Sequence, residues 1–338
     1  MNPSLVNIWR GNAIESRHRG AVAVVNSSGR PLLALGDVQR PVFARSAIKF
    51  MQALPLIESG AADNFDLDER HIALACASHN AEPEHVQLIE QWLHRIACNV
   101  DHLECGAHMP MGADAQIALC ASGRMPTRVH NNCSGKHTAM LSICKHLGEQ
   151  TNNYRLYNHS AQRRWFEVLE ALSSTRVTQL PWGYDGCGIP SIAVPLQRIG
   201  LALARFSNAS NVIDDRRQAI ERIKGALAAH PFLVAGSKRM CTELMSKHAP
   251  QVFVKVGAEG FYTAMLPERG LGVAIKIDDG NVRGAEVVLG VVLQKLGVLD
   301  NDAAKDLEQF ISPSMTNSRG EVVGRAEPSS QWDSIVIE

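Results

Sequence analysis

The chain has 338 residues, of which 45% are apolar and 20% charged, with 34 Lys and Arg set against 34 Asp and Glu. That much apolar material supports one large core or two smaller ones, and no segment reads as a disordered tail. With no net charge there is no positive field to hold nucleic acid or an anionic membrane, so a small polar ligand is the expected partner.

Residues 1–25 carry Arg10, Glu15, Arg17, His18 and Arg19 before any long apolar run, so the hydrophobic region of a signal peptide is missing and a cytoplasmic location is expected. Residues 21–25 are apolar and mostly β-branched, 26–30 read as a turn and 31–35 resume the apolar run, which predicts a β-hairpin. Helical periodicity then marks 46–59, 83–97, 135–147, 160–173, 214–229 and 238–247. Strands return at 251–256, 261–266 and 271–277, separated by Gly-containing turns, before a last helical pattern over 284–296. The apolar run 287–296 falls short of the roughly 20 residues that cross a bilayer.

Strands at both ends with helices between them predict an α/β (α+β) fold. The terminal strands, from about 1–45 and 250–338, would join in one antiparallel sheet, with helices of the 46–249 region layered on it and forming a helical lobe beside it. The whole chain, 1–338, reads as one catalytic unit without internal repeats or a Gly/Ser/Pro-rich linker.

Three short motifs have the chemistry of serine acyl transfer: Ser46-Ala47-Ile48-Lys49, Ser78-His79-Asn80 and Lys255-Val256-Gly257. In this order they echo the Ser-x-x-Lys, Ser-Asp-Asn and Lys-Thr-Gly set of serine β-lactamases and penicillin-binding proteins. On a helix, Lys49 lies one turn from Ser46, where an amine kept neutral by burial or by a neighbour such as Arg45 could take the hydroxyl proton. The plain alternative makes Ser46 an N-cap and Lys49 a solvated helix residue. The apolar stretch 50–57 argues for a central helix and a partly desolvated lysine. Lys255 could pass protons through Ser78 or bind a carboxylate, and Gly257 allows close approach of backbone to a ligand.

The eight cysteines include no Cys-x-x-Cys pair, and most are expected to be buried thiols. Two lie in polar or Gly-rich loops: Asn131-Asn132-Cys133-Ser134-Gly135-Lys136-His137 and Asp185-Gly186-Cys187-Gly188. Two thiolates and a nitrogen donor would suit zinc. A rival reading makes Cys133, at a helix N-terminus near His137, the nucleophile.

Taken together, Arg45-Ser46-x-x-Lys49, Ser78-His79-Asn80, the Cys133 and Cys187 loops and Lys255-x-Gly257-Ala258-Glu259-Gly260 resemble the Rhizobium etli-type (class 3) L-asparaginases over nearly the whole chain. Those enzymes are similar in fold to serine β-lactamases and glutaminases. The resemblance implies Ser46 as nucleophile with Lys49, a second couple of Ser78 with Lys255, a zinc ion on Cys133, Lys136 and Cys187, and a homodimer. It implies that Asp185 belongs to the surrounding hydrogen-bond network. Arg45, His79, Asn80, Asp185 and Gly257 are the candidates for holding the substrate.

Departures from the β-lactamases disfavour their chemistry. His79 replaces the aspartate of the second motif, Val256 replaces the threonine of the third, and no deacylating glutamate is recognisable. The expected activity is hydrolysis of L-asparagine to L-aspartate and ammonia. The alternatives are a glutaminase or another serine amidohydrolase and, from a different class, a non-catalytic zinc-dependent amino-acid-binding protein.

Overall fold

In the computed structural model, residues 1–209 and 212–337 are described. Two compact units emerge: a sheet unit of Met1–Ala47, Val194–Asn208 and Val254–Glu338, and a helical unit of Ile48–Ala193 and Ala209–Phe253.

Among the described residues the sheet has eight strands. From one edge they run Ser314–Thr316, Val322–Pro328, Ser4–Arg10, Ala13–Asn26, Leu271–Ile277, Phe261–Leu266 and Phe253–Val256, with Pro31–Leu35 also paired to Ala13–Asn26. The 14-residue strand Ala13–Asn26 is its spine: one half pairs antiparallel with Ser4–Arg10 and the other with Leu271–Ile277, in the register Val24↔Val273. The hairpin expected from 21–35 forms because the Asn26 side chain accepts the backbone N–H groups of Ser28 and Arg30 at 3.1 and 2.9 Å, while Gly29 takes φ +93°.

Every residue from Ala21 to Val25 is buried, so both sheet faces are covered. On one face lies the helix Leu196–Asn208. A Cβ on Gly272 would stand 2.1 Å from the Gly200 carbonyl oxygen and 2.4 Å from the Ala204 nitrogen, so this helix rests on bare backbone. On the other face the helix Val282–Lys295 brings Gly284 against His18, and a Cβ added at Gly284 would stand 2.9 Å from the His18 Cβ. The antiparallel sheet from both chain ends, packed with helices, is the expected fold class. The unit also takes in Leu196–Asn208, which lies within the 46–249 stretch read as the helical region.

The helical unit is built around two helices buried almost throughout. Lys49–Glu58 is buried from Lys49 to Ile57, and Ser134–His146 from Ser134 to Cys144. A helix buried all round belongs to a core, so its ionisable side chains must find partners. Gly135 permits close packing: a Cβ there would meet the Leu74 carbonyl oxygen at 2.2 Å on the helix Glu69–Ala75.

Two expected helices start later than read. Residues 45–48 form a single 3₁₀ turn, with Arg45 at φ +50°, and the α-helix begins at Lys49. Ser46 is therefore not an N-cap; Ile48 holds that position without a side-chain cap. The helix expected over 238–247 runs Met240–His248, because Gly236 and Lys238 take φ +106° and +58° ahead of it. Among the described residues no helix is long and apolar enough to cross a membrane.

Candidate active site

In the sheet unit, Lys255 is fully buried near the end of Phe253–Val256, and its Nζ donates to the Val256 carbonyl at 3.0 Å. Just beyond, a Cβ on Gly257 would stand 2.8 Å from the Ala44 carbonyl oxygen and 3.1 Å from the Ala47 Cβ. Glycine is thus what lets this strand end pass against the turn that carries Ser46. Thr263 fastens the same turn, its hydroxyl donating to the Ala47 carbonyl at 2.9 Å. Ser46 itself is half-buried. Arg45 and Glu259, both left-handed at φ +50° and +57°, face each other at 3.8 Å. Non-glycine residues held in that region mark places where the surroundings impose a strained backbone.

In the helical unit, Lys49 heads its helix with no exposed surface. Its Nζ contacts the Ala77 carbonyl, the Ser78 Oγ at 3.1 Å and the Cys133 Sγ at 3.2 Å. Burial lowers its pKa, the Cys133 sulfur opposes that, and the nearby Lys136 cation reinforces it. The contact with Ser78 was not expected from the sequence reading, which paired Ser78 with Lys255.

Cys133, Lys136 and Cys187 gather beside it. Lys136 Nζ is 3.2 Å from Cys187 Sγ. The Cys187 thiol is lowered to about 5, chiefly because the Cys133 thiol hydrogen-bonds to it; burial opposes this and Lys136 adds to it. The same bond raises Cys133 to about 12, with burial adding to the effect. The two sulfurs therefore titrate as a coupled pair, with Cys187 the more acidic. Burial alone would neutralise Lys136, but the two sulfurs and the Asp185 carboxylate outweigh it and hold the amine above its usual range.

Asp185 also shapes the loop that presents Cys187. Its N–H donates to Ile189, its carbonyl accepts from Gly188, and its carboxylate accepts from Gly186 at 2.7 Å. Among the described residues no three His, Cys, Asp or Glu side chains form a metal-ligating group. A metal here would need Lys136 as third donor. The two sulfurs suit zinc, and the amine fits once it gives up its proton.

Two candidates for substrate contact are occupied by the protein. His79 is fully buried, with both ring nitrogens engaged. The Asn80 amide donates to Glu82 and to the Ser237 carbonyl, both at 3.0 Å, and accepts from Arg239 at 2.8 Å.

The sequence reading also passed over Tyr154. Its hydroxyl accepts the Glu104 N–H at 2.8 Å and is in hydrogen-bond contact with His137 Nδ1 at 2.7 Å. Tyr154 stands in no motif, and only its complete burial marks it.

A buried lysine stands against a serine hydroxyl on an α/β frame, and by its family the chain is an asparaginase-type amidohydrolase. The L-asparaginase II family model matches residues 6–328, so the chain belongs to that family. No curated protein matches its sequence. Among solved structures it is similar to a D-alanine carboxypeptidase from Burkholderia cenocepacia, at 12% identity over 80% of this chain and 93% of that one, with a TM-score of 0.38. A putative β-lactamase from Bacteroides dorei is similar at 12% identity over 76% and 84%, with a TM-score of 0.39.

Proposed function

We propose that the chain is an L-asparaginase that works through an acyl-enzyme on Ser46. The observation that carries the reading is the buried, pKa-lowered Lys49 amine in hydrogen-bond contact with the Ser78 hydroxyl, in a member of this family. An amine that gives up its proton easily is what a serine nucleophile requires of its base.

In the proposed reaction, Ser46 Oγ attacks the side-chain carbonyl carbon of L-asparagine while Lys49, three residues on in the chain, takes the hydroxyl proton. The carbon–nitrogen bond breaks as the proton held by Lys49 passes through the Ser78 and Lys255 couple to the nitrogen, so ammonia leaves and Lys49 is neutral again. Water then attacks the Ser46 ester, giving its proton to Lys49. The ester bond breaks, Ser46 regains its hydrogen, and L-aspartate departs. Arg45, near the nucleophile in sequence, is the proposed partner of the substrate α-carboxylate.

Cys133, Lys136 and Cys187 are the residues that would hold zinc, which when bound supplies Lewis acidity to polarise a carbonyl or a water. Family resemblance extends the proposal to a homodimer, which sedimentation would show as twice the 36.8 kDa chain.

The test is ammonia release from asparagine and from glutamine side by side, with zinc measured on the same sample. One methylene is worth only about 1–3 kcal/mol of discrimination, so both substrates belong in the assay. Ser46→Ala should abolish release with the fold intact. Near-normal turnover by that variant would reject the nucleophile.

A further inference from the structure

Lys49 Nζ reaches two loops at once, Ser78 on one and Cys133 on the other, at 3.1 and 3.2 Å. An amine can bridge two groups only if their separation is fixed. The residue between these loops is His79.

The hydrogen-bond donors and acceptors around His79 define its tautomer. The Ala81 N–H donates to Nδ1 at 3.1 Å, so that nitrogen is unprotonated. Ser134 Oγ gives its one hydrogen to the Val129 carbonyl at 2.9 Å, so at 2.9 Å from His79 it accepts the Nε2 proton. The His79 backbone N–H donates to the Asn132 carbonyl at 3.3 Å. The ring stacks on His85 at 5.1 Å between centroids, and His85 stacks on Phe232 at 4.8 Å. His79 follows Ser78 directly and Ser134 follows Cys133 directly, so this imidazole joins the same two loops that Lys49 bridges. Ala81, held at φ +59° while buried, shows that the loop is kept in a shape it would not choose alone.

We propose that His79 is a positioning residue, a neutral clasp that sets the spacing of Ser78 and Cys133 around Lys49, and that it does not touch substrate. This rests on the proposed function only in naming the reaction it serves.

Three variants test it: His79→Ala, His79→Gln and Ser134→Ala. Removing the clasp should lower kcat on asparagine about 10- to 100-fold, as loss of an outer-layer orienting partner does, with KM within about twofold. His79→Gln restores a donor towards Ser134 and should recover several-fold of the loss. Ser134→Ala, which leaves the ring in place, should lower kcat too. A raised KM with kcat kept would make His79 a substrate contact and overturn the proposal, as would Ser134→Ala turning over at the unmodified rate. Deuterium uptake of the 77–82 segment gives a reading independent of substrate, with faster exchange expected in Ser134→Ala. If the unmodified chain hydrolyses neither asparagine nor glutamine, the proposed function fails. Unchanged exchange in Ser134→Ala would then still overturn the clasp, and faster exchange would uphold it.

Discussion

Lys49 Nζ stands 3.1 Å from Ser78 Oγ inside the helical unit, although 29 residues separate them. Buried amines are costly to keep charged, so this lysine sits in its present place at the expense of stability. Lys49→Met should therefore lower turnover on asparagine by about 10²- to 10⁴-fold, the usual range for loss of a general base. Its melting temperature should be no lower than that of the unmodified chain. Paired ammonia-release and calorimetric measurements check both halves; a large fall in melting temperature would show that the amine contributes net stability.

The lowered pKa of Lys49 also fixes the sign of the rate's pH dependence. As the proposed base, Lys49 works as the neutral amine, so kcat/KM should rise with pH along a limb centred below the ordinary lysine value of 10.5. A limb centred at or above that value would remove Lys49 from the role.

Cys187 gives a second pH signature. Its thiol is lowered to about 5 in the folded chain against an ordinary 9.0, so the unfolded chain binds the extra proton between those values. Stability from this group is complete above pH 9.0 and is lost as pH falls towards 5. Metal-free protein should melt lower as pH drops through that window, and Cys187→Ser should flatten this component. If the proposed zinc is bound there, the same protonation should release it, which metal analysis after dialysis at each pH would follow.

Glu82 secures the far end of the Ser78 loop by accepting the Ser237 N–H at 2.7 Å and its hydroxyl at 2.8 Å. Burial raises its pKa, but these bonds and the one from Asn80 outweigh burial and hold it below 4.5. Its contribution is thus complete above the unfolded value and disappears as pH falls through the depressed one. Glu82→Gln should melt below the unmodified chain at neutral pH, and the gap should narrow in acid below 4.5. A gap that did not change with pH would show that its carboxylate charge is irrelevant.

Gly135→Ala places a methyl 2.2 Å from the Leu74 carbonyl oxygen, so the two helices must part. Overpacking of this kind costs about 1–3 kcal/mol, which chemical denaturation would read as a lowered midpoint. Because the helix carries Lys136 and follows Cys133, retention of the proposed zinc should weaken as well.

Much of the frame was legible in the residues. The strands Phe261–Leu266 and Leu271–Ile277 and the helices Ser160–Ser173 and Asp214–Ala229 fall where periodicity and turn residues place them. The outer half of Ala13–Asn26 was missed because its charged residues conceal a strand with a single buried position there, and Ser4–Arg10 was missed although Leu5, Val6 and Ile8 are buried. Leu196–Asn208 was missed although it is strongly apolar on one side. Its Gly200 reads as a helix breaker, whereas in the fold it permits contact with the sheet, a reason that depends on residues far away in the chain. At the site, the motifs singled out candidate residues, but spacing within a motif cannot report that Lys49 meets Ser78 or that His79 and Asn80 are occupied by neighbours. Those facts depend on loops that converge only in three dimensions.

The arrangement of the sheet sets a constraint on how the chain is made. Val6 pairs with Pro328 and Val24 with Val273, so strands that leave the ribosome first wait for partners that leave last. Meanwhile the apolar run Ala21–Val25 has only its hairpin partner, and such unpaired edges invite aggregation. The unit begun first is thus completed last, and slow synthesis or a premature stop should leave a nascent chain that depends on chaperones while its helical unit can already assemble.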